Sequence, residues 1–110
     1  MESGVQLILR ERLRQIQEEG WSKEHDDRHT GSELLGAARA YALVAYDQQG
    51  KYKNTDYTSA PPASWPFNWD DEWWKPSKDP KRNLVKAGAL IAAELDRLLR
   101  KEENDAAIGN

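Results

Sequence analysis

The chain contains no cysteine. Disulfides and thiolate metal centres are therefore excluded, and any metal would have to sit on carboxylates or imidazoles. Long apolar runs are missing too. No stretch approaches the roughly 18 residues that a membrane helix needs, and the first residues show no signal-peptide core. A soluble intracellular protein with no membrane partner is expected. Convincing two-residue hydrophobic alternation is also lacking, which removes the usual signature of strands. Nor is there an excess of positive charge: 16 lysines and arginines face 19 aspartates and glutamates, a net charge of -3. That balance disfavours a nucleic-acid partner, since gripping backbone phosphates calls for a basic surplus. At 110 residues, the chain supports one domain with one modest core.

What the chain does have is tryptophan in one place. Four of its five tryptophans and its single phenylalanine lie between Ser64 and Pro76. Pro66 and Pro76 remove backbone donors and hold Trp65 and Lys75 extended, so this segment is neither a long helix nor a central strand. So much aromatic area must cover something, either the protein's own helices or a flat ligand.

The hydrophobic period predicts an all-α fold with three main helices, at about residues 3–19, 30–47 and 79–101. Ser3 caps the first and Gly20 supplies the left-handed residue after its end. Val5, Leu9, Leu13 and Ile16 recur at helical spacing there, with Ile8 beside them; Arg10, Arg14 and Gln15 are expected at the surface, the alternative being that they line a pocket. Residues 20–29 read as a loop. Thr30 and Glu33 match a capping box opening the second helix, which is rich in alanine and predicted to pack on more than one side. The connection at 48–78 has a polar, tyrosine-bearing first part expected to be mobile and an ordered tryptophan-rich second part, with a helical turn around Asp70–Trp74. Asp79 and Pro80 form a strong helix start. Leu84, Gly88, Ile91, Leu95 and Leu98 make one seam of the third helix. The run from Ala87 to Ala93 is apolar all round, so either the domain wraps it or a second copy does, most simply as a two-fold dimer. Residues 1–101 are expected as one helical domain, and 102–110 as a frayed tail.

Two groups of residues could carry chemistry. The first is Glu24, His25, Asp26, Asp27 and His29, with Glu33 nearby. These carboxylates and imidazoles could hold a divalent cation such as Mg, or serve as polar loop and cap residues. The second is Arg82 and Lys86, four apart on one face near a helix start. With Trp73 and Trp74 just upstream, they could hold a phosphate while a ring stacks a base; the alternative is a solvated basic turn. Arg39 is expected to pair with Glu94.

Several word-like fragments carry a resemblance. Glu11-Arg12, Arg14-Gln15, Glu19-Gly20-Trp21, Glu24-His25-Asp26-Asp27, Trp65-Pro66, Trp73-Trp74-Lys75-Pro76 and Arg82 through Ile91 resemble a family of small tailed-phage and prophage proteins. That family also occurs as a module at the end of larger phage accessory proteins. It implies the cytoplasm of an infected bacterial host but brings no activity with it. A weaker likeness is to the MazG-like all-α nucleotide pyrophosphohydrolases, which carry Glu-x-x-Glu and Glu-x-x-Asp motifs for magnesium. Gly20-Trp21 and Glu33 fall in fitting places, but Gly36, Asn83 and Lys86 stand where further acids belong.

The leading expectation is a phage accessory protein that binds a small phosphorylated nucleotide and could sequester a host defence signal. Trp73, Trp74, Arg82, Lys86, His25 and His29 would line the site. Two alternatives stand beside it. One is a Mg-dependent nucleoside triphosphate pyrophosphohydrolase using Glu24, Asp26, Asp27 and Glu33. The other is an inhibitor that binds a host protein through the aromatic loop.

Overall fold

A computed structural model describes residues 2–20, 23–28 and 32–109, apart from the side chains of Lys23 and His25. Among the described residues the fold is all helical, with no strand. Its elements are α1 (Gly4–Gln17), α2 (Lys23–Asp27), α3 (Glu33–Gln48), a 3-10 turn (Asp71–Trp73) and α4 (Pro80–Gly109).

The helix starts follow local chemistry. Ser3 and Gln6 form a reciprocal capping box on α1, satisfying two otherwise orphaned donors. Gly20 has φ +71°, the left-handed geometry that glycine adopts without a Cβ penalty. Asp79 accepts from the Lys81 amide at 3.0 Å, and Pro80 opens α4. The expected turn at 70–74 is present, capped by Asp70.

Other boundaries depart from expectation. Lys23–Asp27 is a short helix rather than loop. α3 begins at Glu33 behind Ser32, which is left-handed and gives no side-chain cap; Thr30 lies outside the described residues. The last helix does not stop at 101 but runs on to Gly109, with its final turns exposed on every side.

α3 and α4 are antiparallel: Gln48 at the end of α3 meets Asn83 near the start of α4, while Glu33 lies near enough to Arg97 to act on it electrostatically. Their joint core holds Leu34, Ala37, Tyr41 and Val44 from α3 and Ala87, Leu90 and Ala93 from α4. Small residues let the two axes approach closely, as the alanine content predicts. The tryptophan loop caps this pair. Trp65, Trp69 and Trp74 are all buried. Their rings meet edge to face, Trp65 with Trp69 at 5.4 Å and Trp65 with Trp74 at 5.3 Å between centroids, each pair adding about 1 kcal/mol beyond area burial.

Hydrogen bonds pin the loop down. Buried Asn83 donates to the Gln48 side chain and the Ser77 carbonyl and accepts from the Ser77 amide. Trp74 Nε1 donates to the Tyr57 carbonyl at 2.7 Å, and the Tyr57 hydroxyl bonds Asp47. The tyrosine-bearing segment is thus tied to the core at Tyr57.

The faces of α1 and α4 turn differently from the hydrophobic pattern. Glu11, Arg12 and Gln15 of α1 are buried, whereas Val5, Leu9, Leu13 and Ile16 are exposed. In α4 the inward face is Asn83, Ala87, Leu90 and Glu94; Leu84, Ile91, Leu95 and Leu98 face out. Arg39 is exposed, and Glu94 bonds Arg97 at 2.5 Å rather than Arg39.

Two glycines mark close approaches. A Cβ on Gly36 would stand 2.5 Å from the Ser64 carbonyl oxygen, which is backbone. A Cβ on Gly88 would meet Ile8 Cδ1 at 2.6 Å and Cγ1 at 2.8 Å, side-chain atoms rather than backbone. Helix propensity favours alanine at both by about 1 kcal/mol, but overpacking costs about 1–3 kcal/mol. Gly36→Ala should therefore lose about 2 kcal/mol net in urea unfolding, because the loop backbone must move. Gly88→Ala should lose less, about 1 kcal/mol, because a side chain at the edge of the α1–α4 contact must shift rather than a backbone. Equal losses would contradict this packing.

Candidate functional site

The polar face of α1 meets α4 with Ile8 seated on Gly88. Residues 8, 11, 12 and 15 are spaced three and four apart and so share one side of the helix. Glu11 and Arg12 diverge from that contact into two separate charged clusters.

The first cluster contains Glu11, Arg14, Glu19, Arg82 and Lys86. Arg14 grips Glu11 with two parallel bonds, Nε to Oε1 at 2.9 Å and Nη2 to Oε2 at 2.7 Å. It also reaches Glu19 at 2.8 Å. Arg82 comes across from α4 to the same Glu11 Oε1 at 2.8 Å. Burial works against the charged Glu11 carboxyl, but the bonds from Arg14 and Arg82 outweigh it and hold its pKa below the ordinary value. Arg14 is held even more firmly protonated by Glu11.

Lys86 lies one turn beyond Arg82. Its Nζ donates to the Lys75 carbonyl at 2.5 Å and sits 5.3 Å from the centre of the Tyr41 ring. The Tyr41 hydroxyl accepts from the Lys75 amide, and the ring stacks obliquely on Trp74 at 4.6 Å. Burial lowers the Lys86 pKa, and the like charges of Arg82 and Arg14 lower it further; Glu11 and Glu19 pull the other way. Glu18 stands 3.8 Å from Arg14 as well, so both arginines are paired with carboxylates, whereas the Lys86 amine meets a carbonyl and a ring.

Beside this cluster runs an open groove of about 580 Å³. Leu7, Leu13 and Val85 supply its apolar surface, and Arg14, Lys81 and Arg82 are among its charged groups. The amide of Lys81 at the start of α4 is already taken by Asp79. Side chains, rather than that helix end, therefore provide the positive charge.

The second cluster holds the expected acids. Asp26 is fully buried and accepts from Arg12 at 2.6 Å. Asp27 pairs with Arg100 at 2.8 Å. Glu24 is exposed, and Glu33 lines a different groove with Arg39, Trp65 and Phe67. Among the described residues no three acids or histidines gather closely enough to hold a metal. The His25 side chain and His29 lie outside the described residues.

The proposed stacking partners separate. Trp74 is inside the aromatic core, so its ring is not free for a base. Trp73 is half exposed and touches Trp69 at 5.8 Å. Trp73 and Phe67 keep exposed rings in the tryptophan-rich segment, and Tyr52 does so earlier in the connection. Sequence reasoning placed Arg82 and Lys86 together but assigned Arg14 to the surface and missed Glu11 and Glu19. The three-residue step from Glu11 to Arg14 was the available signal. No family model, curated protein or solved structure matches the chain.

Glu11 makes acid stability testable. Its folded pKa lies below its unfolded value, near 4.5. The unfolded chain therefore takes up the proton first, and this contribution is present above that value and lost as pH falls through the lowered folded one. Between about pH 5 and about pH 3 the urea midpoint of wild type should fall further than that of Glu11→Gln. Parallel falls would contradict the buried ion pair.

Proposed function

We propose that the protein binds a small phosphorylated nucleotide where α1 meets the start of α4. Arg14, Arg82 and Lys86 take the phosphates. The observation that carries this reading is Lys86, a cation kept half buried near two arginines although burial and repulsion both oppose its charge. A group with several negative oxygens would relieve that opposition, and arginine forks match phosphate geometry. The apolar side of the adjoining groove, at Leu7 and Val85, offers a surface for a base. Trp73 offers another, and Trp74 drops out of the role.

Glu11 and Glu19 orient the arginines and limit the net charge, which favours a compact polyphosphate or phosphodiester over a long nucleic acid. Hydrolysis is less well supported than binding, because Asp26 and Asp27 are each already held by an arginine. In the phage setting that the sequence resemblance implies, binding without turnover would serve to sequester a host nucleotide signal.

Calorimetric titration with nucleoside triphosphates and cyclic oligonucleotides tests this reading. At least one should give saturable heat. Lys86→Met keeps the aliphatic stem but removes the charge, and should weaken that ligand at least about tenfold, the cost of one charge-assisted contact. No heat with any of them, or full affinity in Lys86→Met, would overturn the proposal.

A further inference from the structure

The molecule is more open than a compact monomer of its size. It exposes 7575 Å², whereas a compact monomer of 12.6 kDa should expose about 6,200 Å². Its radius of gyration is 15.1 Å, against about 13 Å for a compact chain of this length. Part of the excess is the end of α4, which projects beyond α3. The rest has a distinct chemical character. On α1, Val5, Leu9, Leu13 and Ile16 are between 41% and 78% exposed. On α4, Leu84, Ile91, Leu95 and Leu98 are between 44% and 54% exposed. None of the eight belongs to the buried core cluster.

The α4 positions 84, 88, 91, 95 and 98 advance in steps of four and three. That is the a/d spacing of a helix seam made to face another helix. Ile8 of α1 meets this seam at Gly88, so the leucine stripes of α1 and α4 start from one crossing point. Eight aliphatic side chains left about half open amount to on the order of 600 Å² of apolar surface. A stable interface takes about 800 Å² from each partner, about 65% of it apolar in homodimers. The stripe is therefore about what one self-complementary interface requires, and larger than the isolated apolar residues of ordinary surfaces.

We infer that this face is covered by a second copy of the chain, in a two-fold dimer whose α4 seams pack on each other beside the α1 stripes. A two-fold contact needs only one patch, used twice, and the α4 seam supplies the matching knobs on both sides. The fold thereby gains an apolar interface that α1 does not make internally. This inference stands on the exposed stripes alone and does not depend on nucleotide binding.

Sedimentation velocity of the full chain tests it. Wild type should run at about 25 kDa, twice the 12.6 kDa of one chain. The double variant Leu95→Glu/Leu98→Glu should run at the mass of one chain with its helical circular dichroism retained, because neither side chain lies in the core. Leu9→Glu on α1 is a second, independent variant that should at least weaken the association about tenfold. A wild-type monomer at about 100 µM would overturn the inference, as would a dimer that the α4 and α1 variants leave intact. So would a monomer that instead floats with anionic lipid vesicles through the same leucines.

Discussion

The fold rests on an unusual choice at one contact: α1 lays its charged side, not its leucines, against α4. Glu11 is buried between Arg14 of its own helix and Arg82 of α4, and Arg12 is buried against Asp26. Removing charges from water is expensive, and a buried pair repays that cost only with good geometry and further bonds. The forked Arg14–Glu11 contact, shared with Arg82, meets that demand. Once α1 is seated this way, its apolar stripe can only point outward. The cation cluster and the uncovered leucines are therefore two consequences of one orientation.

Lys86 carries its charge where burial and neighbouring cations oppose it. A half-buried lysine beside two arginines would serve the fold better as a neutral residue. It is retained with its amine against the Lys75 carbonyl and over the Tyr41 ring, both of which favour a cation. Tyr41 belongs to the aromatic core through Trp74, so the tryptophan loop reaches the charged cluster through that ring. The loop's main task is to close the α3–α4 core, and its placement beside the cations follows from that.

Much of this was legible in the chain. The capping serine at Ser3, the left-handed Gly20, the Asp79-Pro80 start and the alanine-rich α3 are local signals, and local chemistry suffices to read them. So was the pairing of Arg82 with Lys86 on one face. The orientation of α1 and α4 was not. A hydrophobic period says that a stripe will be covered, but not whether the cover lies in the same chain; the stripes through Leu9 and Leu95 were legible, and what covers them was not. The burial of Asn83 was not legible because it depends on Gln48 and Ser77, remote in sequence or across a proline. The short α2 has no apolar period of its own, and is held instead by Arg12 on Asp26 and Arg100 on Asp27.

The most direct test of the account is a double-mutant cycle between Glu11 and Arg82, using Glu11→Gln, Arg82→Gln and both together in urea unfolding. If the polar side of α1 lies inside, the two charges are coupled by about 2 kcal/mol or more. A coupling below about 0.5 kcal/mol, the value of an exposed pair, would mean that α1 packs through its leucines after all.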